Sequence, residues 1–539
     1  MASGLAFASC EKMLDTDQSR VLFAEDNTLS SPNDSLYSAV GILKDLQGVA
    51  SQYVLLDVRA DLSQPTSNAD TKIKALADFD FSDETYTSAR AYYKVINDCN
   101  FYIAHRDTTL KEAGLNITTS EMAAVKSVRA WAYLQLATNY GQVPFITEPL
   151  TSISASLVDY PKKGIEEMAQ YMIADLAPYA DVTLPSWSLN GFSATYLFPP
   201  VRLVIADYYL WTGQYEQAAQ YYYDYLTDTH TYAYSNTCMA KANGEYMMGT
   251  WASQFSTSDS EMKFYIPMTY TDTEGNTIEL ADIADVFSTC QSERQIAPSD
   301  GYIALCDSQV FFNGSREIRG VGDLRRYATF TTTTRDGEEF VLNSKFSSSL
   351  NYNSALSSYN LSQPSIVGLY RAGLIWLRMA EAANRAGYPS FAFAILKWGV
   401  NQNICTQGYG YIDDSELADA QPWMNFAPKS STATDWFSYS IGVHSRGLGS
   451  GVEKSTDYPS FAIPECATKS DSIDAVEDLI VNELAMETAF EGNRYTDLLR
   501  IGLHRSQNDY AARKVAMRGG SFDESLYQKA LANKYLPLK

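Results

Sequence analysis

Apolar side chains recur at intervals of three and four along several stretches, and each such stretch predicts a helix with one buried face. The first runs from Ser35 to about Leu56, with Leu36, Val40, Leu43 and Leu46 in register. Residues 57–87 turn polar and irregular, and a second helix then runs from Ser88 to His105. Thr118 and Glu121 form a capping-box pattern ahead of a third helix, in which Met122, Val125, Val128, Ala132 and Leu136 make the buried stripe. Gly141 and Pro144 stop it. Further helices are predicted at 161–179, 198–212 and 214–227.

Two junctions share one grammar. In LWTGQYEQAA, Gly213 closes one helix, Tyr215 packs back and Ala218 lets the next helix lie close. NRAGYPSFAFAIL repeats this with Gly387 and Ala392. Such turns join the paired helices of tetratricopeptide repeats. Residues 228–365 differ, being rich in Ser, Thr, Gly and aromatics, with strand-like runs KFYIPMTY and YATFTTTT and a hairpin turn between Tyr270 and Ile278. Residues 401–470 are irregular too, and the last strong helices lie within 471–505. The expected fold is mostly α: tetratricopeptide-like helix pairs at 35–227, 366–400 and 471–505 frame two large loop-rich insertions containing short β-hairpins. Residues 35–539 are expected to form one domain.

Composition narrows the partners. A net charge of −23 repels phosphate backbones, which argues against nucleic acid, and it says little about a neutral ligand. The seven cysteines contain no CxxC pair and match no zinc pattern, so at least one thiol lacks an internal partner. Cys10 is the natural odd one out. It follows the small-residue run Leu5-Ala6-Phe7-Ala8-Ser9, which resembles the tail of a bacterial lipoprotein signal. The expectation is a signal remnant over 1–9, lipidation of Cys10, an anchor linker over 10–34, and a natural start upstream of Met1. No stretch reaches the roughly 18 apolar residues of a membrane span.

Candidate chemistry is sparse. His105, His230, His444 and His504 are scattered, and HExxH, GxSxG and Walker patterns are absent from the sequence. Glu483, Glu487 and Glu491 share one helix face at a spacing of four, with Arg494, Asp497 and Arg500 following. The arginines make this a structural ion-pair network rather than an acid/base site. Arg378, Glu381 and Arg385 form a similar ladder. Asp272, Glu274 and Asn276 alternate like part of a calcium loop, but a hairpin turn explains them better. No cofactor or metal is expected.

Several segments together resemble the SusD/RagB family of outer-membrane nutrient-binding lipoproteins. They are Asn482 through Arg500, YRAGLIWLRMAEAANRAG at 370–387, YYKVINDCNFYIAH, VRAWAYLQLATNYGQVP, GDLRRYATF at 322–330, which resembles the family's middle strand, and the closing KYLPL. Leu484 stands where the family usually carries arginine. The resemblance implies a cell-surface lid on a SusC-like TonB-dependent transporter, anchored in the outer membrane by lipid. It also implies a ligand that is usually a glycan and sometimes a peptide, bound without catalysis.

A glycan site wants exposed aromatic planes with amides, acids or guanidinium groups to bond the hydroxyls. The expected contacts lie in irregular segments: Arg59, Asp61 and Tyr86, from a region often near the ligand in that family; Trp251, Phe255 and Tyr265; and Trp423, Trp436 and Tyr439. Two other classes compete: a secreted glycan hydrolase, and an intracellular tetratricopeptide scaffold for protein partners.

Overall fold

The computed structural model describes residues 29–538 except 233–238, 241–245, 248–250, 252–253, 256–260, 272–276, 280–282, 288, 291–293, 314–317, 347–349, 354–357, 362–364, 431–432 and 451–460. Cys10, with the expected signal and the linker up to residue 28, and the alternating Asp272, Glu274 and Asn276 lie outside these residues.

Twelve helices carry the frame: α1 (Pro32–Leu55), α2 (Arg90–His105), α3 (Thr119–Tyr140), α4 (Ile165–Leu176), α5 (Val201–Trp211), α6 (Tyr215–Asp228), α7 (Ala372–Arg385), α8 (Pro389–Lys397), α9 (Lys469–Glu487), α10 (Arg494–His504), α11 (Tyr510–Ala516) and α12 (Glu524–Ala532). Successive helices pack side by side from α2 to α9, although the insertion 228–365 separates α6 from α7 in sequence. Gly213 and Gly387 close their helices at φ +71° and +98°, a left-handed conformation that glycine adopts without strain. Ala218 and Ala392 are fully buried at the contacts that follow. The helix-pair grammar is therefore realised in three dimensions.

Four local expectations change. Helix α3 is buried on almost every side rather than along one stripe, because α1, α2, α4 and α5 all pack on it. Thr118 does not cap α3 with its side chain. Asn116 does so instead, its Oδ1 accepting the N–H groups of Thr118 and Thr119 at 2.9 Å each. Glu121 is then free to accept from the Tyr102 hydroxyl and pair with Arg106. The helix expected from 161 starts at Ile165, since Lys162–Lys163 bridges to Val143–Pro144. Residues Leu324–Thr329, within the expected middle strand, form a helical turn capped by Asp323, and the strand begins only at Phe330.

The insertions contribute short strand pairs, mostly antiparallel, in sheets of two or three strands, and Phe312–Asn313 pairs parallel with Gly449–Ser450. Met262–Pro267 pairs with Ile366–Arg371, Thr269–Thr271 with Thr277–Glu279, and Phe330–Arg335 with Glu338–Asn343.

The carboxylates of the C-terminal segment are buried. Helix α9 ends at Glu487, and Phe490 (φ 68°) and Gly492 (φ 88°) turn the chain, so Glu491 is off the helix face it was expected to share. All three glutamates still enter one buried cluster. Arg325 reaches Glu483 at 2.5 Å, Glu487 at 2.7 Å and Asp323 at 2.7 Å. Arg371 reaches Glu487 at 2.6 Å and Glu491 at 2.7 Å, and Arg446 reaches Glu487 at 2.7 Å. Lys345 holds Glu491 at 2.5 Å, and His444 Nδ1 lies 2.7 Å from Glu483. Burial alone would raise the Glu487 carboxyl, but Arg446, Arg371 and Arg325 hold it well below the usual carboxylate range. Most of the partners come from the insertions and not from the arginines that follow in sequence. Arg494 instead grips Asp61, and Arg500 forks onto Glu381. The expected ladder on α7 likewise reaches outward: Arg378 to Asp207 on α5, Arg385 to Glu477 on α9.

Candidate functional site

The nine expected contacts divide sharply by exposure. Arg59 is buried; its Nη2 donates to Asn139 at 2.6 Å, and its guanidinium lies 4.3 Å over the Tyr495 ring. Asp61 is occupied by both arms of Arg494, each at 2.8 Å. Tyr86 is half-buried against the core. Trp251 is fully buried and donates its indole N–H to Thr329 at 2.9 Å, with Phe255 edge-on at 5.5 Å. Tyr265 is buried and stacks on Tyr196. Trp423 is buried with its ring against Tyr388 and Phe391. Of these rings, Trp251, Tyr265 and Trp423 are closed to solvent, and Tyr86 and Phe255 are partly covered. Trp436 and Tyr439 are different, with 41% and 62% of their surfaces exposed.

The reason is local geometry. Residues Trp436–Tyr439 form a single 3₁₀ turn, in which positions three apart eclipse, so Trp436 and Tyr439 point the same way. Asp435 caps the turn, accepting the Ser438 N–H at 3.1 Å. Phe437 points inward and packs on Phe426 and Trp376, which anchors the turn to α7. A second segment completes the shelf. After α6, His230 adopts the left-handed conformation (φ 50°), and Thr231 N–H bonds back to Leu226 at 2.9 Å. This brings the His230 ring parallel to Trp436, 5.0 Å away at 17°, and sets Tyr232 6.3 Å from Tyr439. One face of Trp436 is thus backed by His230, and its exposure lies elsewhere on the ring.

A cleft of about 420 Å³ opens beside the shelf, lined by Tyr223, Thr227, Asn425, Lys429 and Asp435 among others. A second, of about 510 Å³, adjoins it across Asn425, Phe426 and Ala427 and is walled by Gln402, Thr406, Ala420 and Gln421. Another cleft, about 240 Å³ beside Tyr93 and Tyr160, offers less, because its amides are committed. Asn97 bonds the backbone of Leu150 in both directions, and Asn100 bonds Ile146 and Arg129. Among the described residues no three His, Cys, Asp or Glu side chains are grouped to hold a metal ion, and no helix is long and apolar enough to cross a membrane.

No protein-family model and no curated protein matches this chain. Solved structures do. A SusD superfamily protein from Bacteroides vulgatus ATCC 8482 aligns over 96% of both chains at 13% identity, with a TM-score of 0.59. A SusD homolog from Bacteroides thetaiotaomicron VPI-5482 covers 89% of this chain and 91% of its own at 17% identity and TM-score 0.55. A SusD-like carbohydrate-binding protein from Bacteroides fragilis NCTC 9343 covers 90% and 88% at 12% identity and TM-score 0.55.

The chain has the SusD-like fold. Within it, the shelf sits where the end of α6, at the start of the first insertion, meets the second insertion. His230 and Tyr232 were not singled out from the sequence as contacts. A histidine two residues beyond a helix, with no glycine to close it, was the available signal, but nothing local says which ring it would meet.

Proposed function

We propose that this chain is a surface-anchored binding protein that captures a nutrient glycan on the Trp436–Tyr439 shelf. It holds the glycan without cleaving it and delivers it to a SusC-like TonB-dependent transporter in the outer membrane. Residues 35–539 act as one unit, and lipidation of Cys10 provides the anchor. The observation that carries this reading is the shelf itself. Two exposed rings, presented by an anchored 3₁₀ turn and backed by rings from a second segment, make a preorganised platform for the apolar C–H faces of sugars. Amides and hydroxyls beside it can bond the rim. The SusD-like fold supports the reading, because one solved protein of that fold is named as carbohydrate-binding. Removal of the carboxylates at positions 483, 487 and 491 into saturated ion pairs also supports capture over hydrolysis.

Affinity electrophoresis and calorimetry against a panel of glycans and peptides, paired with a reducing-end assay, test it. Glycan binding without turnover is expected. Release of new reducing ends, or binding confined to peptides, would overturn it.

A further inference from the structure

We infer that the cargo is an electrically neutral glycan chain long enough to lie across both adjoining clefts, with one end on the Trp436–Tyr439 shelf. This rests on the reading of the shelf as a sugar platform and adds the charge and length of what it takes.

Charge carries the first half. The larger cleft is lined by amides, a hydroxyl, apolar groups and the Cys405 thiol, which burial pushes up to about 12 and so keeps neutral. The shelf cleft holds one lysine, Lys429, and one carboxylate, Asp435, and Lys429 lies 3.6 Å from the Asp228 carboxylate, so its charge is already compensated. No arginine lines either cleft among the described residues. Uronate or sulfate chains are usually recognised by guanidinium forks or clustered lysines. On a molecule of net charge −23, a groove without such groups leaves a polyanion repelled. A polycation would want carboxylates along the groove, and the larger cleft presents none.

Geometry carries the second half. The clefts share Asn425, Phe426 and Ala427 in their walls, so they lie side by side, and a chain occupying both would cross these residues. Each alone, at about 420 and 510 Å³, has the size of a complete small-ligand site. Bonding capacity is spread over both clefts. The Gln402 carboxamide is exposed and makes no hydrogen bond among the described residues. Gln421 spends its NH₂ on Tyr388 and Asp419, which leaves its carbonyl as an acceptor. Asn425 accepts from Ala427 N–H, which leaves its NH₂ as a donor.

The test is calorimetry on the full chain with gluco-, manno- and xylo-oligosaccharides from disaccharide to heptasaccharide, and with oligogalacturonates as the acidic probe. Within the neutral series that binds, the heptasaccharide is expected to bind at least about tenfold more tightly than the disaccharide, and oligogalacturonates not at all. Ala420→Trp, which fills only the larger cleft, is expected to erase the length gain while disaccharide affinity stays within about twofold. Retained disaccharide binding reports that the variant is folded, and Thr406→Trp on the same wall is the second variant. Equal affinity for short and long chains, or oligogalacturonate binding as tight as neutral binding, would sink the inference and leave capture on the shelf standing. If no sugar of any length or charge binds, both fall.

Discussion

At the scale of single residues, burial separates rings that sequence composition treats alike. Trp423 and Trp436 lie thirteen positions apart in one insertion, yet only Trp436 keeps an open surface. Replacing each with alanine should therefore give opposite phenotypes. Trp436→Ala is expected to weaken glycan binding by about 1–2 kcal/mol and to leave the melting temperature nearly unchanged. Trp423→Ala removes a ring packed on Tyr388 and Phe391 and is expected to cost about 3–5 kcal/mol of stability. Calorimetry and urea denaturation on both variants check the pair. A stable Trp423→Ala variant that loses binding would reverse the assignment.

At the scale of elements, the frame is tied by polar contacts between helices as well as by apolar stripes. His504 ends α10 and bridges to α5, with Nε2 2.9 Å from the Leu210 carbonyl and its ring edge-on to Tyr215. Burial lowers the imidazole from 6.5 to about 4. The unfolded chain therefore takes up this proton near pH 6.5, whereas the folded chain resists until about pH 4. Stability consequently falls as pH drops through that window, by roughly 3 kcal/mol from this group at full effect. Urea midpoints measured between pH 4 and 7 should show a shallower decline for His504→Gln than for the natural chain. Parallel declines in the two proteins would count against the assignment.

At the scale of the whole molecule, the buried charge cluster joins segments spanning residues 261 to 491 around Glu487. Taking these charges out of water is costly, and their mutual pairing offsets that cost only while every partner is present. Glu487→Gln leaves Arg371, Arg446 and Arg325 under-compensated and is expected to lose about 3–5 kcal/mol. Arg513→Ala, at an exposed pair with Asp509, should leave the urea midpoint essentially unmoved. Because the Glu487 carboxyl is held below its usual range, its contribution is present above about pH 4.5 and fades as acid protonates it. A Glu487→Gln variant as stable as the natural chain would mean the cluster is dispensable to the fold.

Sequence alone determined the helix pairs, since apolar spacing and the glycines at 213 and 387 are local signals that packing then obeyed. It also pointed to ion pairing of the C-terminal glutamates, although the arginines close in sequence go elsewhere, Arg494 to Asp61 and Arg500 to Glu381. It did not name their partners: Arg325, Lys345, Arg371 and Arg446 arrive from distant segments, and no local spacing records that. Nor did it separate exposed from buried rings in the insertions, where no regular period marks an inward face. Only the tertiary structure decided that Phe437 turns in, that Trp436 and Tyr439 turn out, and that His230 backs one of them. Those outcomes depend on which segment lies over which, and that is a property of the folded whole.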